Sequence, residues 1–300
     1  PAAVTDANGQ ATGTVASTVA GTKTVSATIN GVAVTATVDL TVTAGAVDAA
    51  LSTVAAAPGS LSADGGASTI TITARDANGN PVAGQAVTLA STGSGNTLTQ
   101  PVGVTDANGQ ITGAISSTGA GTKTITATIG ATVVTQTADV VIAAGAVTAA
   151  QSTVSAAPTS IVAGGAASTI TVTARDQHGN AVSGASVTLA ATGTNTITQP
   201  SGTTDASGAI TGTLASTQAG DKVVTATIGA VTVTQTATVT VTAAAVDAAQ
   251  STVAVSDATI AAGTGTSTVT VTARDQYGNA VPGATVLIAA TGSNNTITQP

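Results

Sequence analysis

The sequence predicts an all-β protein built as a tandem array of sandwich domains, each about 100 residues long. Three observations predict it: a residue alphabet suited to strands, apolar residues that alternate with threonines, and a repeat whose period is that of a domain.

The alphabet comes first. Hydrophobic residues make up 42% of the 300, yet there is no Phe, Trp or Met, and the one aromatic is Tyr277. Any core is therefore made of Val, Ile, Leu and Ala. Val, Ile and Thr are stiff at χ1 and fit a pleated surface, which favours strands. Charged residues are 6% of the chain and none is Glu, so Thr and Ser must cover the wet faces where a helical protein would place Glu and Lys.

The net charge is −7. The basic residues are Arg75, Arg175, Arg274, Lys23, Lys123 and Lys222, one Arg and one Lys per repeat. They cannot gather into a patch within one domain, which argues against nucleic acid and against an anionic membrane surface as partners of this segment. The absence of cysteine excludes disulfides and thiolate metal sites. No apolar run is long enough to span a bilayer. Pro1 falls inside a repeat, so a secretory signal is expected outside this segment.

The repeat is the dominant signal. Thr-Asp-Ala-Asn-Gly-Gln at 5–10 returns at 105–110, and as Thr-Asp-Ala-Ser-Gly-Ala at 204–209. Ala-Arg-Asp-Ala-Asn-Gly-Asn at 74–80 returns with Gln-His, then Gln-Tyr, in place of Ala-Asn, at 174–180 and 273–279. The period, 100 residues and then 99, suits a sandwich domain.

Within the block from 146 to 244, alternation marks the strands. A first strand is expected near Ser152–Ala156. Ile170, Val172 and Ala174 then point inward, opposite Thr169, Thr171, Thr173 and Arg175. After the turn at Asp176–Asn180, Val187 and Leu189 point inward. A short strand around Thr196–Thr198 ends at Pro200. Beyond the turn at Asp205–Gly208, Ile210, Gly212 and Leu214 face in. After Ala219–Asp221, so do Val224, Ala226 and Ile228. One last long strand carries Val231, Val233, Ala237, Val239 and Val241. That makes about seven strands, the mark of an immunoglobulin-like sandwich. Gln235, with Gln136 and Ala36 in the other copies, reads as a partly exposed position.

The segments at 46–50, 146–150 and 245–249 join a last strand to the next first strand. Residues 46–145 and 146–244 are then expected to be complete domains, 1–45 the late part of one and 245–300 the early part of another. Pro1 and Pro300 share the repeat position of Pro101 and Pro200. Short apolar junctions predict closely abutting domains and a stiff array.

Asp76, Gly79, Asn80, Val82, Gly84 and Val87, then Thr105, Asp106 and Gly109, then Gly121 and Thr128, with their copies, form an ordered set. This set resembles the bacterial immunoglobulin-like group 1 domain, the repeat of the invasin/intimin class of adhesins. The resemblance covers the whole chain in register. It implies an extracellular stalk on a bacterial cell surface, anchored at the outer membrane through regions outside this segment and projecting a binding tip.

Catalysis is not expected. His178 is the single histidine, replaced by Asn78 and Tyr277 in the other copies, and a triad needs converging partners. Asp76 and Asp106 open segments like the start of a calcium loop, and Asp48 and Asp247 sit at junctions where an ion could bind, although Thr148 replaces them once. A calcium loop needs a closing bidentate acid, and neither segment has one. Asp, Asn and Gly are equally the residues of tight turns, so no cofactor is expected, with calcium the one candidate. The lysines follow Ala-Gly turns and are expected to be exposed. An isopeptide cross-link would need them buried beside an amide and an acid.

The leading functional expectation is a passive spacer of a long adhesin or extracellular fibre, each domain adding ~40 Å. The alternative is a self-assembling surface-layer or matrix filament, with like chains as partners in a fibre or bundle. A carbohydrate module is disfavoured, because sugar rings stack on aromatics. The partners expected throughout are neighbouring domains of the same chain.

Overall fold

A computed structural model describes residues 4–300; Pro1 lies outside them. The chain divides into two compact units between Ala144 and Gly145. Each unit contains one two-sheet immunoglobulin-like sandwich and one partial domain.

In the first unit, one sheet runs Thr53–Ala57, Ser68–Thr73, Gln110–Ser117, Asn96–Thr99, each strand antiparallel to the next. The facing sheet is built on Gly121–Ile129, with Ala138–Ala143 on one side and Val87–Ser91 on the other. Ser60–Ser62 adds in parallel to Ala138–Ala143. The second unit repeats this with Thr153–Ala157, Ser168–Thr173, Ala209–Ala215 and Thr196–Thr198 facing Gly220–Ile228, Ala237–Thr242, Val187–Ala191 and Ser160–Val162. The partial sheets are Gly21–Val25 on Val38–Val42, and Thr252–Val255 on Val269–Thr272.

The inward phase of every strand is the expected one. Ile170, Val172, Ala174, Leu214, Val224, Ala226, Ile228, Val239 and Val241 are all buried in one core, and Val187, Leu189 and Ile210 join them. The other unit buries Ile70, Ile72, Ile115, Ile125, Ile129, Val140 and Ile142 in a separate core. Gly113 and Gly212 stand at inward positions because a leucine of the opposite sheet and a carbonyl of the neighbouring strand come too close for a side chain. A β-carbon on Gly113 would lie 2.7 Å from Leu89 Cδ1 and 2.7 Å from Thr99 O, and Gly212 meets Leu189 and Thr198 in the same way. A leucine leaning into a glycine gap closes a core that has no aromatic ring to fill it.

Three details differ from the sequence expectation. The last strand is broken: Val231–Thr232 closes a hairpin on Gly220–Ile228, and Ala237–Thr242 resumes with two extra residues in the register. Gln235 lies exposed in the break. The first strand is followed by Ser160–Val162, which leaves its sheet for the other one. Three residues are too few to show a period.

The third difference is the lysines. Lys123 and Lys222 are only 3% exposed, not on the surface. Each occupies the first inward position of its strand, in phase with Ile125 and Val224. The apolar stem extends the core while the amine reaches the end of the sandwich. Lys123 Nζ donates to the Ser94 carbonyl at 2.9 Å. The left-handed glycines Gly93 and Gly193 leave room above the amines, where β-carbons would lie 3.0 and 3.2 Å from Nζ.

Candidate functional site: the interdomain joint

The Arg-Asp-x-x-Gly-Asn loop follows a central strand and has two jobs. The first is to hold itself. Asp76 Oδ1 accepts from the backbone N–H groups of Asn78 and Asn80, both at 2.9 Å. Gly79 takes φ 82°, and Arg75 Nη1 donates to its carbonyl at 2.7 Å. This is Asx-turn chemistry, in which a short carboxylate replaces missing backbone partners.

The second job is to hold the neighbouring domain. Asp76 Oδ2 accepts from Gly45 N–H at 2.8 Å, in the connector that enters this sandwich. Asn80 uses both ends of its amide: Oδ1 accepts from Ala20 N–H at 2.9 Å, and Nδ2 donates to Thr18 O at 2.8 Å. The same Nδ2 donates to Asp76 Oδ2 at 2.8 Å, so the two side chains brace each other. Residues 18–20 form the turn before Gly21–Val25 in the preceding partial domain. The connector is fastened as well, with Val47 bridging Asp76 and Asp48 N–H donating to Arg75 O at 2.7 Å.

The joint recurs in the second unit. Asn279 Oδ1 accepts from Ala219 N–H at 2.9 Å and its Nδ2 donates to Thr217 O at 2.9 Å. Asp275 Oδ2 accepts from Ala244 N–H at 2.9 Å. Asp176 repeats the inner half, holding His178, Asn180 and Gly145 N–H groups through its carboxylate.

These carboxylates are buried but surrounded by donors. Asp76 is 2% exposed, and the Asn80 amide, followed by the Gly45 N–H, holds its carboxyl down at about 2 from the ordinary 3.8. Burial pushes Asp275 up, but the Asn279 amide and the Ala244 N–H outweigh it, so its net direction is also down. Donors that stabilise the charged form outweigh desolvation at both joints.

The other candidate residues serve turns. Asp106 Oδ1 accepts from Asn108 and Gln110 N–H groups, and Asp48 Oδ1 from Ala50 and Leu51. Asp247 does the same with Ala249 and Gln250. Among the described residues, no three of His, Cys, Asp and Glu gather in one place. His178 sits at the variable position of its loop beside Gln177. The sequence reading singled out Asp76 and Asn80 as turn and family residues and missed the joint. The available signal was that Asn ends this loop in all three copies, while the similar turn ends in Gln10, Gln110 and Ala209.

Fold and joint together define tandem immunoglobulin-like sandwiches, and within each unit the sandwich is fastened to its partial-domain neighbour. The family model described as bacterial Ig-like domain (group 1) matches residues 51–142 and 151–242, and the chain belongs to that family. The Escherichia coli adhesin FdeC is similar in structure, with 30% identity over 81% of this chain and 79% of its own, at a TM-score of 0.60. Yersinia pseudotuberculosis InvD is 28% identical over 77% of this chain and 72% of its own, at a TM-score of 0.58. No curated protein matches the chain. The relatives are adhesins, and the family's domains are structural and not catalytic. No helix among the described residues is long and apolar enough to cross a membrane.

Proposed function

We propose that this chain is a set of stiffened spacer repeats in the stalk of a bacterial cell-surface adhesin, standing between an outer-membrane anchor and a binding tip that both lie outside the segment. The observation that carries the reading is the recurrence of one side-chain-to-backbone clamp at the joint within each unit: Asn80 on Thr18 and Ala20, Asn279 on Thr217 and Ala219. A flexible linker needs no such device, and a spacer that holds a tip at a distance does. Residues 46–145 and 146–244 are the folding units of this reading, and the ends are parts of others.

The test is the full chain carrying Asn80→Ala and Asn279→Ala. Each change removes two hydrogen bonds across the joint, worth about 0.5–1.5 kcal/mol apiece, so each joint should weaken by about 1–3 kcal/mol. In electron micrographs the distribution of bend angles should broaden while both sandwiches keep their melting transitions. An unchanged distribution would overturn the clamp. Ordered sheets of the parent chain would favour the surface-layer alternative.

A further inference from the structure

The loop that forms the joint has an unchanging frame and a variable centre. Arg, Asp, Gly and Asn recur in all three copies, and the enclosed pair is Ala77-Asn78, Gln177-His178 or Gln276-Tyr277. The N–H of the pair's second residue donates to Asp Oδ1, so the frame of the loop does not depend on which side chain that residue carries. Tyr277 uses that freedom. Its ring lies on the Gly164–Gly165 turn of the preceding sandwich, where a β-carbon on Gly164 would overlap the phenol, with Cε2 at 2.7 Å. The ring is still 43% exposed, so it is seated on the neighbour and not sunk into its own domain.

The seat is itself built. Gly164 takes φ 71°, a conformation that favours glycine. Its N–H donates to Ser216 O at 2.9 Å. Ser216 Oγ donates to Thr194 O at 2.8 Å and accepts from Gln218 N–H at 3.0 Å. Thr217 and Ala219, within this same stitched turn, hold Asn279. The ring seat and the amide clamp are therefore two footholds of one loop on one rigid end.

We propose that Tyr277 and Gly164 form a size-matched pair that limits bending at this joint, and that the variable dipeptide is where individual joints are tuned within a common clamp. The hydroxyl edge of a stiff phenol against a bare backbone adds a third point of contact beside the two amide bonds, and it does so at little entropic cost. This rests on the spacer reading for its purpose but on separate atoms for its evidence.

The chain has no cysteine, so Thr188→Cys with Thr252→Cys gives two clean spin-label sites, one on each side of the joint. In the full chain the inter-label distance distribution should be narrow. Tyr277→Ala should widen it roughly twofold. Tyr277→Phe should widen it less than Tyr277→Ala, because it keeps the ring edge and loses only the hydroxyl that lies nearest the glycine. Gly164→Ala should widen it in the parent, and near-ultraviolet tyrosine circular dichroism should fall with it, since Tyr277 is the chain's one aromatic. In the Tyr277→Ala background, Gly164→Ala should add nothing. An equal effect of Gly164→Ala in both backgrounds would trace it to backbone strain and overturn the pair. A distribution unchanged by Tyr277→Ala would overturn it outright, whether or not the glycine variant folds. Asn279→Ala separates the two readings. If it widens the distribution while Tyr277→Ala does not, the clamp stands and the pair falls. A parent distribution that is already broad sinks the stiff spacer itself.

Discussion

The same tetrapeptide, Asp-Ala-Asn-Gly, occurs at 6–9, 76–79 and 106–109, and the last two copies do different work. Locally they are alike. Each aspartate accepts through Oδ1 from the N–H groups two and four residues on, and each glycine has a left-handed φ, 82° at Gly79 and 75° at Gly109. Asp76 is buried, however, and its second oxygen holds Gly45, whereas Asp106 is exposed. The glycines differ in the opposite sense. Gly79 has open space where a side chain would go, but a β-carbon on Gly109 would overlap the Ala74 carbonyl oxygen and lie 3.1 Å from Val82 N. The first turn carries its function on the aspartate, and the second carries its function on the glycine, which buttresses the base of the first. A turn motif fixes local geometry, and the surroundings decide which atom of it matters.

The largest expected effect lies on the glycine side of that comparison. Gly109→Ala meets both a positive φ and a main-chain overlap, so it should cost about 2–4 kcal/mol in the unfolding of its sandwich. Gly79→Ala meets the φ alone and should cost about 1–2 kcal/mol. Equal losses by denaturant titration would show that the backbone around Gly109 yields.

The aspartates should reverse the order. Asp76→Ala frees both the connector and the brace on Asn80, so it should lower the thermal midpoint of the first unit more than Asp106→Ala. The excess should vanish when Asn80→Ala is already present, because the two side chains act together. Additive losses would mean that they act separately.

Acid sharpens the contrast further. Asp76 is held at about 2 in the folded protein against 3.8 ordinarily, and Asp176 and Asp275 shift the same way. As pH falls below 4 the unfolded chain takes up these protons before the folded one, so stability must fall with pH. That contribution is complete above about pH 4 and is lost progressively towards pH 2. The pH slope of unfolding between those limits should shrink in Asp76→Asn. A slope the variant leaves intact would place the titration elsewhere.

The smallest expected effect is that of metal. The oxygens of Asp76 already face N–H donors, and Asp48, Asp106 and Asp247 each turn one oxygen to backbone N–H groups. Chelation should move the melting temperature by no more than about 1–2 °C. A rise of many degrees on adding calcium would show that ions displace these donors, and it would point to Asp48 or Asp247 first.

Much of this architecture was legible in the sequence because the physics that writes it is local. Alternation of Val and Ile with Thr gave the phase of each strand, and Asp-x-x-Gly gave the turns. The sandwich followed from the spacing between them. What stayed hidden depends on partners distant in sequence. Lys123 looks like a surface residue after a turn until Ser94, 29 residues away, supplies its acceptor. Asn80 looks like the end of a turn until Thr18 and Ala20, about 60 residues upstream, meet its amide. The broken last strand was hidden because its inward residues keep one parity across a two-residue insertion, so the period survives the interruption.

The hydrogen bonds that Asn80 and Asn279 make to the preceding domain go to main-chain atoms. The residues that supply those atoms are Thr18-Val19-Ala20 at one joint and Thr217-Gln218-Ala219 at the other. A fastening that reads only carbonyls and amides makes little demand on the side chains of its substrate. Copies can then drift in sequence, be duplicated or be lost by recombination between similar stretches of DNA, and each new neighbour will still be gripped. In the spacer role proposed above, the reach of the array becomes a quantity that a genome can adjust in whole steps, without redesigning any part.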